Sequence, residues 1–165
     1  MNITYLKIED SDLPFLKEVY KSTREEEMQL VDWPEIQKEA FIDQQFESQH
    51  TYYQQVYHDA TFEIIYLDQK PAGRLYLWES EQQIRIVDIS LLPGFRNHGI
   101  GSSVLEMLIE KSERCSKVLS IHVEYYNKAL LLYQRLGFEQ KDQTGVYYFM
   151  ERKPQNQRKN LDPSI

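Results

Sequence analysis

The spacing of apolar and polar positions along this chain changes period repeatedly, and each change marks an element. Residues 3–8 carry β-forming side chains and predict a first strand. Beyond them Leu13, Leu16, Val19 and Tyr20 recur at helical spacing around Pro14, with Ser11 or Asp12 available as the N-cap. Asp32, Trp33 and Pro34 open a second, longer helix, whose predicted apolar side is Phe41, Phe46, Tyr53 and Val56. Residues 61–67 are rich in β-formers and predict a buried strand, 68–72 a turn, and 73–79 the hairpin partner.

Residues 83–92 form the next strand, and its pattern holds two phases. Ile84 and Ile86 share one, while Val87, Ile89 and Leu91 share the other. Either both faces are buried or a bulge shifts the phase near Ile86 and Val87. After Pro93 and Gly94 comes the loop RNHGIGSS at residues 96–103, then a helix to residue 113 with Ile100, Val104, Met107 and Leu108 at helical spacing. Residues 118–123 predict another buried strand. A short helix follows, with Ala129, Leu132, Tyr133 and Leu136 on one stripe and Gly137 as its stop. A final hairpin takes 138–141 and 146–151. The order β-α-α-β-β-β-α-β-α-β-β predicts an α/β fold, a mixed sheet with helices on both faces. We expect one domain over residues 1–152 and a polar tail, without periodicity, over 153–165.

Composition narrows the function. A hydrophobic fraction of 41% supports a real core. Nineteen basic against 26 acidic residues leave a formal charge of −7, which argues against nucleic-acid binding, mildly favours cationic small partners, and otherwise serves solubility. Cys115 is the sole cysteine, so neither a disulfide framework nor a cysteine metal cluster forms within one chain. The N-terminal residues show no basic start followed by an apolar segment, and no apolar run reaches membrane-spanning length. The expectation is a soluble cytoplasmic protein without a membrane or nucleic-acid partner.

The loop RNHGIGSS is where chemistry enters. It joins a strand to a helix N-terminus, where free backbone N–H groups and the helix dipole favour an anion. Gly99 and Gly101 remove side chains that would keep a phosphate from the main chain, Arg96 can add a charge-assisted contact, and Ser102 and Ser103 can donate hydroxyls. A Walker loop needs a lysine before the serine, and none is present. A dinucleotide fingerprint belongs early in a βαβ unit. An ordinary strand-to-helix connection is the structural alternative.

Two motifs together carry a resemblance. DISLLPGFRNHGIG, residues 88–101, and NKALLLYQRLGF, residues 127–138, resemble the paired signatures of the GNAT (GCN5-related N-acetyltransferase) superfamily: an R-x-x-G-x-G loop after a bulged fourth strand, then Asn, Ala and L-Y-x-x-x-G-F. The resemblance covers residues 61–151 well in element order and the first sixty only in layout. It implies a GNAT-type mixed, mostly antiparallel sheet of about seven strands with helices on both faces.

The resemblance further implies acetyl transfer from acetyl-CoA, without a metal, to the primary amine of a small molecule or peptide. In that picture the amides of Asn97, His98, Gly99, Ile100, Gly101 and Ser102, with Arg96, hold the pyrophosphate, and the pantetheine arm pairs with main chain near Leu91 and Leu92. One of those two N–H groups polarises the thioester carbonyl. Tyr133 stands where the family's general acid stands; its structural alternative is a core tyrosine. Asn127 contacts pantetheine or positions the helix, though it lies six residues before Tyr133 where relatives often show seven. Candidate bases are His122 and Glu124, which share a strand face, and Asp88, with a water chain as the other option. Trp33, Tyr53, Tyr76 and Tyr147 are candidate acceptor walls and residues 25–27 a candidate acidic rim; core packing and a solvated helix face are the blander readings. A monomer or homodimer is expected. The alternative function is a silent CoA-binding sensor or partner module of the same fold.

Overall fold

The structure, a computed structural model, describes residues 1–155. The chain order is β1 (Ile3–Lys7), α1 (Leu13–Gln29), α2 (Glu35–Val56), β2 (Thr61–Leu67), β3 (Lys70–Glu79), β4 (Gln83–Leu91), α3 (Ile100–Cys115), β5 (Val118–Glu124), α4 (Leu130–Arg135), β6 (Glu139–Thr144) and β7 (Tyr147–Arg152). The strands hydrogen-bond in the order β1-β2-β3-β4-β5-β7-β6 as a seven-stranded sheet. Pairs β1–β2, β5–β7 and β6–β7 are antiparallel, and β4–β5 is parallel. The element order predicts a mixed sheet, and the seven mostly antiparallel strands are those the resemblance implies. By contacts the chain divides into two compact units, residues 1–76 with 88–96, and residues 77–87 with those from Asn97 on.

In the first unit, α1 and α2 bury Leu16, Tyr20, Ile42 and Phe46 in a cluster with Ile64 of β2. Each such side chain contributes about 1.5–3 kcal/mol of hydrophobic stabilisation. The apolar side of α2 differs from the sequence expectation. Ile42 and Phe46, four residues apart, are the buried pair, whereas Phe41 and Val56 are exposed. Phe41 instead meets Trp33 edge-on, ring centroids 5.5 Å apart. The β2–β3 turn is also tighter than predicted. Asp68 and Gln69 both take positive φ, 48° and 70°, and β3 begins at Lys70. Two successive left-handed residues give a hairpin turn that matches strand twist, so no longer loop is needed.

In the second unit, α3 buries Ile100, Val104, Leu105 and Leu108 along one stripe. Strand β5 buries Leu119, Ile121 and Val123 on alternate positions, leaving His122 exposed. Gly137, at φ 95°, ends α4 as expected. Arg152 ties the unit together: Nε donates to the Leu136 carbonyl at 2.8 Å and Nη1 to Glu113 Oε1 at 2.8 Å. The Gln155 amide donates to the other Glu113 oxygen at 2.9 Å. The rest of the expected tail, residues 156–165, lies outside the described residues.

Candidate active site

In the first unit, the end of β4 is held by three close contacts. Gly73 of β3 is the first. A Cβ there would sit 2.1 Å from the Ser90 carbonyl oxygen and 2.9 Å from Leu91 Cα, so only glycine lets the strands approach. The second is the Leu92 N–H, which donates to the Ala72 carbonyl at 2.8 Å. The third is Arg96, whose Nε donates to the Leu91 carbonyl at 2.8 Å and whose Nη2 donates to Ser22 Oγ of α1 at 3.2 Å. Ser90 and Leu92 thus turn their main-chain groups toward β3. By strand alternation Leu91 turns its N–H and carbonyl the other way. Of the two amides considered for polarising a carbonyl, that of Leu92 is committed to β3. Arg96, expected on a phosphate, spends these donors on the scaffold.

Asp88, a candidate base, sits in a buried ion pair. Arg74 Nη2 and Nε reach its two carboxylate oxygens at 2.8 and 3.2 Å. Ser90 Oγ donates to it at 2.8 Å, Tyr53 Oη lies 3.5 Å away, and Arg74 also donates to Gln49 of α2 at 2.8 Å. Burial works to lower the pKa of Arg74, but the Asp88 carboxylate, Tyr76 and Tyr53 together outweigh it, so the guanidinium is held above its ordinary value. A carboxylate so fully engaged is a structural anchor. Tyr53 and Tyr76, expected as acceptor walls, pack edge-on at 6.0 Å; Tyr76 is fully buried, and among the described residues its hydroxyl meets no acceptor or donor in hydrogen-bond geometry. Trp33 is 38% exposed against Phe41. Residues 25–27 are exposed on α1, with Glu27 paired to Arg24 at 3.0 Å.

In the second unit, the loop enters α3 through left-handed backbone. Asn97 has φ 62° and Gly99 φ 84°; Gly99 is the N-cap, and among the described residues no side chain caps the helix. A Cβ at Gly99 would meet nothing within 4 Å. Its glycine is therefore demanded by conformation, with open space beside it. Ser103 N–H makes the first intrahelical bond, to the Gly99 carbonyl at 3.0 Å. Helix geometry leaves the preceding N–H groups, at Ile100, Gly101 and Ser102, without intrahelical partners. Asn97, His98 and Gly99 are exposed, while Ile100 is fully buried and anchors the turn.

Pairing of β4 with β5 runs from Gln83↔Val118 to Ile86↔Ile121, and β5 continues to Glu124 against β7. His122 and Glu124 lie on that continuation and share a face. The His122 ring stands 4.8 Å from Phe149, its cross-strand neighbour. Partial burial, then the nearby Arg85 charge, hold its pKa below the ordinary value and favour the neutral imidazole. Asn127 Oδ1 accepts the Ala129 N–H at 2.8 Å, and its own N–H donates to the Glu124 carbonyl at 2.9 Å. It turns the chain from β5 into α4. Tyr133 is 4% exposed on α4 and packs edge-on against Phe138 at 5.6 Å. Tyr147, 40% exposed, opposes Glu124 across β7.

With the fold and these groups established, comparison with known proteins decides the family. The model of the acetyltransferase (GNAT) family matches residues 18–138. This chain belongs to that family. A search of the curated proteins gave no match. Solved structures of similar fold include the PaiA N-acetyltransferase of Thermoplasma acidophilum in complex with coenzyme A, at 20% identity and TM-score 0.68 over 93% of this chain and 99% of that one. An acetyltransferase of Thermus thermophilus matches at 17% identity and TM-score 0.68 over 93% and 97%. A GNAT-family acetyltransferase of Elizabethkingia anophelis with acetyl-CoA bound matches at 18% identity and TM-score 0.57 over 92% and 98%.

Three residues of this GNAT acetyltransferase escaped the sequence reading. Gly73 had a signal, a glycine inside a strand. Arg74 and Arg85 had none, because their partners are distant in sequence. Among the described residues no group of His, Cys, Asp and Glu could hold a metal, and no helix is long and apolar enough to cross a membrane.

Proposed function

We propose that this chain is an acetyl-CoA-dependent N-acetyltransferase acting on a primary amine of a small molecule or peptide, with residues 1–152 working as one catalytic domain. The observation that carries the reading is the entrance to α3: an exposed left-handed turn, no side-chain cap, and open space at Gly99. N–H groups without intrahelical partners, at the positive end of a 16-residue helix, suit a pyrophosphate. The amides of residues 97–102 take that role. Arg96 contributes by fixing Leu91, and the Leu91 N–H polarises the thioester carbonyl.

An alkylamine is protonated at neutral pH and must lose a proton before it attacks. His122, exposed and biased toward neutrality, takes that proton, with Glu124 beside it on the same face. The amine nitrogen bonds the acetyl carbon, the carbon–sulfur bond breaks, Tyr133 supplies the proton that leaves with the thiol, and the surplus proton on the nitrogen is lost to solvent as the amide forms, the Tyr133 hydroxyl being restored from the same pool. Asn127 positions the α4 turn that carries Tyr133. The exposed single cysteine, Cys115, suits a reducing, cytoplasmic setting.

The test is release of free thiol from acetyl-CoA in the presence of polyamines, amino acids, aminoglycosides and peptide N-termini. Acceptor-dependent release supports the reading. Tight coenzyme binding with no release from any amine favours a silent binding module instead.

A further inference from the structure

Among the described residues, Arg85 is an arginine without a carboxylate partner. It is half-buried on β4, directly opposite Ser120 of β5. Its guanidinium carbon lies 5.9 Å from the Trp78 ring centroid and 5.7 Å from that of Phe149, two aromatic faces that fix it. Nε reaches Ser120 Oγ at 3.4 Å and Nη2 reaches Gln83 Oε1 at 3.3 Å, and Ser120 Oγ itself donates to Gln83 Oε1 at 3.0 Å. These partners are neutral, and among the described residues no acid pairs with Arg85. The contrast with the chain's buried arginines is informative. Arg74 and Arg152 each hold a carboxylate at 2.8 Å. Among the described residues Arg85 is thus left unneutralised and braced.

The residue beside it is the proposed base. His122 lies two positions beyond Ser120 on the same face of β5, and Phe149 touches both the His122 ring and the Arg85 guanidinium. Two residues along a strand span about 6–7 Å and neighbouring strands lie about 4.8 Å apart, so the backbone positions of Arg85 on β4 and His122 on β5 are about 8 Å apart on the diagonal. A ligand bridging the two groups must therefore present an anion at one end and an amine several bonds away.

We propose that the acceptor is an amine bearing a carboxylate at that separation, its carboxylate held by Arg85 and its amine delivered to His122. This rests on the transferase reading and names its substrate class. Trp78 and Phe149 flank the intervening methylenes, and the guanidinium offers the carboxylate charge-assisted hydrogen bonds. An ω-amino acid, or a short peptide with an acidic group near its amine, fits. The chemical step is the acyl transfer already described and needs no further reactant.

The probes are 5-aminopentanoate and 5-aminopentanamide, which differ only in the charge of one end. With saturating acetyl-CoA, we expect kcat/KM for the acid to exceed that for the amide at least about tenfold, and Arg85→Met to bring the ratio within about twofold of one. In parallel, titration of the coenzyme-loaded protein should shift the His122 imidazole resonance at lower concentrations of acid than of amide, a preference lost in Arg85→Met. Thiol release with equal efficiency from both probes overturns this inference and leaves the transferase standing. A preference for the acid at His122 without thiol release from any amine overturns the transferase reading and leaves the anion site standing. No preference in either measurement overturns the inference.

Discussion

Arg96 holds Leu91 by its carbonyl. The Nε–O distance is 2.8 Å, and the same guanidinium reaches back to Ser22 of α1. The neighbouring Leu92 N–H is bonded to Ala72 of β3, so Leu91 is the residue whose peptide groups point away from that strand. Arg96 thereby sets the orientation of the amide we assign to the thioester carbonyl. Arg96→Met should lower kcat/KM about 10–100-fold, since a displacement of an ångström at a reacting centre has that effect. The stability loss should be only about 1–3 kcal/mol, read by urea denaturation. A variant that loses stability but keeps full kcat would remove Arg96 from this role.

Gly73→Ala places a methyl group 2.1 Å from a backbone oxygen that has no rotamer with which to escape. Either β3 or β4 must shift. We expect destabilisation of about 1–3 kcal/mol and a drop in turnover that persists at low temperature, where the variant is fully folded. Gly94→Ala, in open space by contrast, serves as the control for thermal stability.

The Arg74–Asp88 pair is nearly dry, with side chains 3% and 12% exposed. Removing one partner leaves the other as an uncompensated buried charge. Arg74→Met or Asp88→Leu alone should each cost about 3–5 kcal/mol, whereas the double variant should recover much of that loss. Denaturation midpoints of the four proteins complete the cycle. Additive losses would mean that the two residues act independently.

His122 sets a pH dependence whose sign follows from its surroundings. Partial burial and then Arg85 lower its pKa, so the neutral base persists to more acidic pH than for a free imidazole, ordinarily near 6.5. The acidic limb of kcat/KM should therefore have its midpoint below that value, and Arg85→Met should move it upward. Stability follows the same direction: this contribution is whole above the unfolded value and is lost as pH falls through it toward the folded one. An NMR titration of the imidazole checks both, and a midpoint above the ordinary value contradicts the assignment.

Much of this was legible in the sequence. Element order, the α3 stripe and the Gly137 stop follow from periodicity and chain breakers, which are local. What failed was set by tertiary contact. On α2, several apolar residues compete for one face, and only packing against α1 and β2 selects Ile42 and Phe46 over Phe41 and Val56. The loop 96–103 was visible as a glycine motif, yet the use of Arg96 was not, because a charge in a sequence does not say what it bonds. Asp88 looked like a base for the same reason; its neutraliser lies 14 residues away on another strand. Ile84 and Ile86 do form one buried phase, but from Val87 to Leu91 every residue is half-buried, so alternation carries no signal there.

The central claim is that the uncapped start of α3 grips the coenzyme's pyrophosphate. Its most direct test is an amide-resolved NMR titration with coenzyme A. The account predicts large, saturable shifts at Gly99, Ile100, Gly101 and Ser102, together with Leu91. Saturable binding that leaves those amides unmoved, with the shifts elsewhere, would contradict it.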